Sequence, residues 1–104
     1  MTTLMVNYVG DSDSRFDRDR YLAHHIPLVV KTWQPFGLKR VEVFFTDQTA
    51  PDQTVAATCL CHFIDRPALE RALAAPETAP IMADITTFTD ITPSRFAMRP
   101  ALTA

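Results

Sequence analysis

The chain has very little glycine: only Gly10 and Gly37 occur among its 104 residues. Glycine-rich phosphate-binding loops need several glycines at fixed spacing, because their backbone must approach a phosphate closely. Neither a Gly-x-Gly-x-x-Gly pattern nor a P-loop pattern is present in the sequence. We therefore expect no nucleotide-binding site.

The sequence also lacks a block of positive charge and a long apolar run. Its net charge is −2, and arginines alternate with aspartates between residues 13 and 20 instead of forming a basic stripe, so a nucleic-acid partner is not expected. Its apolar runs are far shorter than the roughly 20 residues of a membrane-spanning helix. The N-terminal stretch MTTLMVNYVGDSDS has no basic segment and no small-residue cleavage site, which favours a cytoplasmic location.

Cysteine and histidine are scarce as well. Cys59 and Cys61 are the only cysteines, and in a strand they lie on one face about 7 Å apart, which is poor geometry for a disulfide. The simplest interpretation is two small core residues in a reducing compartment. The three histidines, His24, His25 and His62, show no familiar metal-ligand spacing, so the sequence predicts no metal and no cofactor.

The residues that are present predict one domain with the element order β-α-β-β-α-β. Strands are expected at 3–9, 37–47, 54–64 and 86–98, with a loop at 48–54, and helices at 17–34 and after Asp65, with a short helical turn at 78–85. This is an α+β, ferredoxin-like fold with a four-stranded antiparallel sheet. We expect the third strand to be central, Pro93 to mark an edge strand or a bulge, an ordered core over about 3–97 and a loose tail at 98–104.

The first helix carries the most distinctive stretch, RFDRDRYLAHHIPLVVKTW. Asp17 is a suitable N-cap. Pro27 lacks an N–H and crowds the preceding turn, so we expect the helix to kink or break near His25. The two helical pieces are expected at about 17–24 and 27–34, with Pro27 opening the second and Ile26 pushed away from helical torsions. His25 falls on the apolar arc of this helix beside Tyr21, whereas His24 falls on the polar arc.

The first strand is not cleanly divided into an apolar and a polar face. Leu4, Val6 and Tyr8 lie on one face, and Met5, Asn7 and Val9 on the other. A sheet with helices on one side leaves its second face open, and an exposed apolar face marks an interface. A second copy of the chain is the simplest partner.

The helix and the segment near the C-terminus together resemble the EthD family. The matching residues are, in order, Phe16, Asp17, Tyr21, His25, Pro27, Leu28, Gly37 and Leu38, and later Phe88, Thr89, Asp90, Ile91 and Pro93. This resemblance implies a homodimeric α/β barrel with a site between sheet and helices. Relatives in the superfamily include cofactor-free oxygenases, lactone isomerases, polyketide cyclases and haem-handling enzymes, and the family is tied by name to the breakdown of ethyl tert-butyl ether.

Three residues are candidates for catalysis. A buried, neutral His25 can act as a general base or acid near neutral pH, or it braces the helix at Pro27. Asp90 either orients His25 or caps a backbone amide. Tyr21 either offers its hydroxyl to a substrate or packs in the core.

The candidate substrate-binding residues are aromatic. They are Tyr8, Phe16, Trp33 and Phe88, and spacing alone does not distinguish a pocket lining from a core. The leading hypothesis is an enzyme that acts without a cofactor on a small hydrophobic organic compound, by isomerisation, cyclisation, dehydration or oxidation. The alternatives are a binding protein that sequesters such a compound and a small dimer in which His25 is structural.

Overall fold

A computed structural model describes residues 1–11, 13–46 and 55–104 of the chain. It contains four strands: β1 (Thr2–Val9), β2 (Leu38–Phe45), β3 (Val55–Phe63) and β4 (Ser94–Met98). They form one antiparallel sheet in the order β2-β3-β1-β4. The α+β, ferredoxin-like prediction is confirmed, with β3 central and β4 at an edge directly after Pro93. The predicted loop at 48–54 lies outside the described residues.

The four α-helical segments are α1 (Arg18–Arg20), α2 (Ile26–Trp33), α3 (Arg66–Ala74) and α4 (Ala79–Asp84). Among the residues described, no helix is long and apolar enough to cross a bilayer. Aspartates begin two helices as predicted: the Asp17 carboxylate accepts from the N–H of Arg20, and that of Asp65 accepts from the N–H of Ala68. Each bond satisfies a donor that the first helical turn leaves unpaired.

The first helix is irregular up to His25 and has Pro27 in the first turn of its second part, as predicted, but it does not break into two separate pieces. Residues Tyr21–His25 form a π-helical turn between α1 and α2, and the N–H of Ile26 donates to the carbonyl of Tyr21. Ile26 itself is helical, with φ −63° and ψ −45°. A π-turn is wider than an α-turn, so it gives the Pro27 ring room within a continuous helix. Pro27 then falls in the first turn of α2, where its missing N–H costs little.

The predicted fourth strand, 86–98, begins too early. Ile85–Thr87 is a 3₁₀ turn, and only Ser94–Met98 is a strand. The hydroxyl of Thr87 donates to the carbonyl of Asp84 at 2.6 Å, and that of Thr86 lies 3.4 Å from the carbonyl of Ala83. These bonds back to the preceding helix satisfy its last carbonyls and override the β-propensity of the threonines.

The inner face of the sheet packs against the helices and forms the core. Directly paired residues share a face, and the inner rows include Leu4 opposite Cys61 and Tyr8 opposite Ala57, all of them buried. Gly37, with φ 103°, turns the chain from the 3₁₀ segment after α2 into β2. The left-handed torsion explains why glycine stands there.

The outer face of the sheet has no helix on it and alternates apolar and polar rows. Phe44 and Phe96 are 52% and 50% exposed, and Phe96 is paired with Met5. A polar chain crosses the same face, in which the ring of His62 lies 2.8 Å from the Thr3 hydroxyl and 2.6 Å from the Glu42 carboxylate. A second polar row on this face joins Thr58 to Asn7, with the Thr58 hydroxyl donating to the Asn7 side-chain oxygen at 2.8 Å. The outer face therefore mixes exposed apolar side chains with two hydrogen-bonded polar rows.

Candidate functional site

His25 lies inside the molecule, at the last residue of the π-turn. It is 4% exposed. Its ring stacks on Tyr21 at a centroid distance of 5.6 Å and lies 4.7 Å from the ring of Phe88. The inward orientation expected from the helical pattern is thus present, although the helix does not break beside it.

Asp84, at the end of α4, is the partner of His25. Nδ1 of His25 lies 3.0 Å from Oδ2 of Asp84. The other carboxylate oxygen, Oδ1, lies 3.3 Å from the Thr87 hydroxyl and 3.9 Å from Nη2 of Arg20. A carboxylate accepts hydrogen bonds, so Nδ1 is the protonated nitrogen and Nε2 carries the lone pair of the neutral ring.

The predicted pairing of Asp90 with His25 is therefore wrong. Asp90 is exposed, and its carboxylate accepts from the backbone N–H of Arg15 at 3.1 Å. This is the amide-capping alternative. The chain reaches Asp90 after the turn at Phe88, not along a strand, and this moves the carboxylate to the surface.

Burial lowers the pKa of His25 below its usual 6.5, and the hydrogen bond and charge of Asp84 oppose the shift in part. The ring is accordingly neutral at pH 7. Nε2 has no hydrogen-bond partner among the described residues. Every fully buried side-chain nitrogen or oxygen atom in the same residues does have a partner. It follows that Nε2 faces accessible space.

That space is a cavity between the inner face of the sheet and the helices, with a volume of about 30 Å³. It has room for a water-sized group, whereas a cavity that holds benzene measures about 150 Å³. Its lining is mostly apolar and consists of Val6, Tyr8, Tyr21, His25, Ile26, Val29, Trp33, Cys59, Cys61, Ile81, Met82, Ile85, Pro93 and Arg95.

The two tyrosines and the two cysteines supply the polar atoms of the cavity wall near the sheet. Burial is the main reason that the pKa values of the Tyr8 and Tyr21 hydroxyls are raised, so both hydroxyls stay protonated. The Tyr21 hydroxyl donates its hydrogen bond to the Cys59 sulfur. The sulfurs of Cys59 and Cys61 lie 3.6 Å apart and are free thiols. The hydrogen bond to Cys59, together with burial, raises the pKa of Cys61.

Of the four aromatic residues predicted to bind a substrate, two line the cavity and two do not. Tyr8 and Trp33 line the cavity, and the indole N–H of Trp33 donates to the Thr78 hydroxyl at 2.8 Å. Phe16 and Phe88 do not line it. Phe88 lies behind His25 and Tyr21, and Phe16 packs on Tyr8 at 5.3 Å. Both rings fill the core behind the cavity, and their contact with a substrate stays a prediction.

Two site residues were missed by sequence reasoning. Asp84 lies 59 positions from His25, and no spacing rule connects the two. Arg95 stands on β4 opposite Val6, and an inward-facing arginine on a predicted edge strand was the available signal. Over the described ranges, no three His, Cys, Asp or Glu side chains are grouped as metal ligands would be.

The fold has several counterparts among solved structures. An EthD-like protein from Ralstonia eutropha superposes with a TM-score of 0.83 at 20% identity, over 99% of this chain and 94% of that chain. An ethyl tert-butyl ether d (EthD) family protein from Bacillus halodurans gives 0.74 at 19% identity, over 96% of this chain and 98% of that one.

A third similar structure has a stated activity. SnoaB, a cofactor-independent oxygenase from Streptomyces nogalater, has a TM-score of 0.59 at 18% identity, over 98% of this chain and 93% of that chain. No protein-family model and no curated protein matches the sequence. The recognition from the sequence motifs is confirmed at the level of the fold: this chain has the ferredoxin-like fold of the EthD-like proteins.

Proposed function

We propose that the chain is an enzyme that moves a proton to or from a small organic compound in the cavity, without a cofactor, and that His25 is the general base. The observation that carries the proposal is the placement of His25: Nδ1 lies 3.0 Å from the Asp84 carboxylate, the ring lines the cavity, and Nε2 has no hydrogen-bond partner among the described residues. A carboxylate that fixes the tautomer of a histidine in this way leaves the other nitrogen ready to accept a proton.

The remaining polar groups suit a reaction next to a carbonyl. Removal of that proton leaves an enolate, whose oxygen needs hydrogen-bond donors in a dry site. The protonated hydroxyls of Tyr8 and Tyr21 line the same cavity as His25. We assign Tyr21, and with it Tyr8, to the binding of that oxygen. A fold that also serves the oxygenase SnoaB is compatible with such chemistry.

The size of the cavity limits what enters it in the resting state. A volume of about 30 Å³ admits the reacting end of a molecule and not a whole ring. Met82 and Ile85 line the helix side, and Met82 is a flexible, unbranched side chain that can change rotamer. We infer that a hydrophobic substrate places its carbonyl end beside His25 and that its body displaces Met82.

Deuterium exchange in D₂O tests the proposal directly. Phenylacetone and acetylacetone have acidic C–H bonds next to carbonyls, and incorporation of deuterium into each is followed by proton NMR. We expect a rate that is proportional to protein concentration and exceeds that of free imidazole at the same concentration. A rate no faster than imidazole with both compounds contradicts the proposed function.

We also propose that the working form is a homodimer, in which the outer faces of two sheets meet. The support is the exposed apolar surface of Phe44 and Phe96 on that face. The wild-type protein is expected to sediment with twice the 11.7 kDa mass of one chain. Phe96→Glu places a charge in the apolar surface and is expected to give monomer.

The matched control for the dimer is Leu102→Glu. Leu102 is 84% exposed and lies beyond β4, so this charge is expected to leave the sedimentation coefficient unchanged. A wild-type protein that is monomeric at micromolar concentration contradicts the dimer. Equal dissociation by both variants assigns the effect to charge in general and contradicts the role of the outer face.

A further inference from the structure

Arg95 stands at the β4 edge of the cavity. It is paired with Val6 on the inner face of the sheet, and it lines the cavity together with Pro93. Its side chain is exposed, and its Nη1 lies 3.6 Å from the sulfur of Met82. The guanidinium thus covers the residue that we expect a ligand to displace.

This guanidinium has no carboxylate partner in the part of the chain that the structure describes. The ion pairs there use the carboxylates of Glu42, Glu70 and Asp84, and none of them includes Arg95. A thioether sulfur is a weak acceptor. Apart from its contact with Met82, the exposed guanidinium of Arg95 is therefore available to a ligand at the edge of a mostly apolar cavity.

The charge of Arg95 also acts inside the cavity. Burial raises the pKa of the Tyr8 hydroxyl, and the negative charge of Asp84 also raises it. The positive charge of Arg95 acts in the opposite direction and lowers this pKa. An anion in the cavity meets the negative charge of Asp84 behind His25. A cation at the mouth offsets that repulsion and favours ligands whose negative end stays outside.

We propose that Arg95 is the specificity-determining residue of the site and that the substrate carries an anionic group, a carboxylate, which Arg95 binds at the mouth while the carbonyl end lies beside His25. This inference rests on the proposed function, because it uses the same cavity as the ligand site. Arginine binds a carboxylate through two parallel hydrogen bonds, and this fixes the orientation of the ligand as well as its affinity.

A pair of matched probes tests the assignment. Phenylacetate and phenylacetamide differ in charge and hardly in shape, and their dissociation constants are measured by NMR titration of the wild-type protein and of Arg95→Met. Methionine keeps a long flexible side chain without the charge. We expect the wild-type protein to bind phenylacetate at least tenfold more tightly than the amide, and Arg95→Met to lose about tenfold in affinity for phenylacetate alone.

The control variant is Arg99→Met. Arg99 lies after β4, beside Thr2 and Arg66 and away from the cavity, so both dissociation constants are expected to stay within twofold of the wild type. Equal affinities of the two probes, an equal loss in both arginine variants, or no binding of either probe overturns the inference. Deuterium exchange into the uncharged phenylacetone is unaffected by these outcomes, and it decides the proposed function separately.

Discussion

His25→Asn is expected to lower the rate of deuterium exchange into phenylacetone by about 10²–10⁴-fold, the usual contribution of a positioned general base. The amide nitrogen of asparagine occupies nearly the place of Nδ1, so it keeps a donor for the Asp84 carboxylate, which lies 3.0 Å from Nδ1 in the wild type. The basic Nε2 is lost. The variant therefore removes the base without leaving the half-buried Asp84 carboxylate without its partner at this position.

Two further variants separate catalysis from structure. His24→Asn makes the same substitution at the neighbouring exposed position and is expected to leave the rate unchanged. Asp84→Asn is expected to slow exchange because the amide no longer fixes the tautomer of His25. An His25→Asn variant that keeps the wild-type rate contradicts the role of His25 as base, and measured melting temperatures show whether each variant is folded.

The pH dependence of the exchange rate distinguishes a catalytic His25 from a histidine that only braces the helix. Burial holds the pKa of His25 below 6.5 in the folded protein. Above that pKa the ring is neutral and can accept a proton, so the exchange rate is expected to fall as the pH is lowered through it. At pH values between the folded-state pKa and 6.5, His25 binds a proton in the unfolded chain but not in the folded protein. The contribution of His25 to the free energy of unfolding is therefore complete above about pH 6.5 and is lost as the pH falls to the folded-state pKa.

Phe88→Ala is expected to reduce the free energy of unfolding by about 3–5 kcal/mol, the usual cost of removing a buried phenylalanine. Phe88 is 0% exposed, and its ring lies 4.9 Å from that of Tyr21 and 5.7 Å from that of Tyr8. This loss is a large part of the 5–15 kcal/mol that stabilises a typical domain. Urea unfolding followed by circular dichroism measures it.

Leu102→Ala is the control for Phe88→Ala, since Leu102 is highly exposed beyond β4. Its effect on the unfolding midpoint is expected to be within about 0.5 kcal/mol. A small loss for Phe88→Ala, similar to that of the control, would mean that Phe88 is not part of a packed core, and it would restore the interpretation of Phe88 as a residue that lines an open pocket.

The sequence predicted the parts of the fold that local pattern controls. The β-forming residues of β1, the apolar and small residues on both faces of β3, and the aspartate caps at Asp17 and Asp65 are local signals of strands and helix starts. The inward position of His25 follows from helical periodicity, which the π-turn shifts by too little to reverse. The same local rules failed at Pro27, because the crowding that they describe is relieved by widening one turn.

The candidate site was predicted less completely, for a physical reason. The partner of His25 comes from α4, and the packing of α4 beside the first helix is a tertiary event without a local signal. Asp90 matched the family pattern and was predicted to orient His25. The hydroxyls of Thr86 and Thr87 instead bond to carbonyls at the end of α4, and the chain that follows places Asp90 at the surface. The volume of the cavity depends on how side chains from several strands and helical segments meet, which no single stretch of sequence encodes.

The position of β1 in the middle of the sheet has a consequence for how the chain folds. β1 is made first, but its two hydrogen-bonded neighbours are β3, residues Val55–Phe63, and β4, residues Ser94–Met98. Both pairings close long loops, and contacts between residues distant in sequence slow folding. A nascent chain must therefore keep one edge of β1 unpaired until β4 has been synthesised.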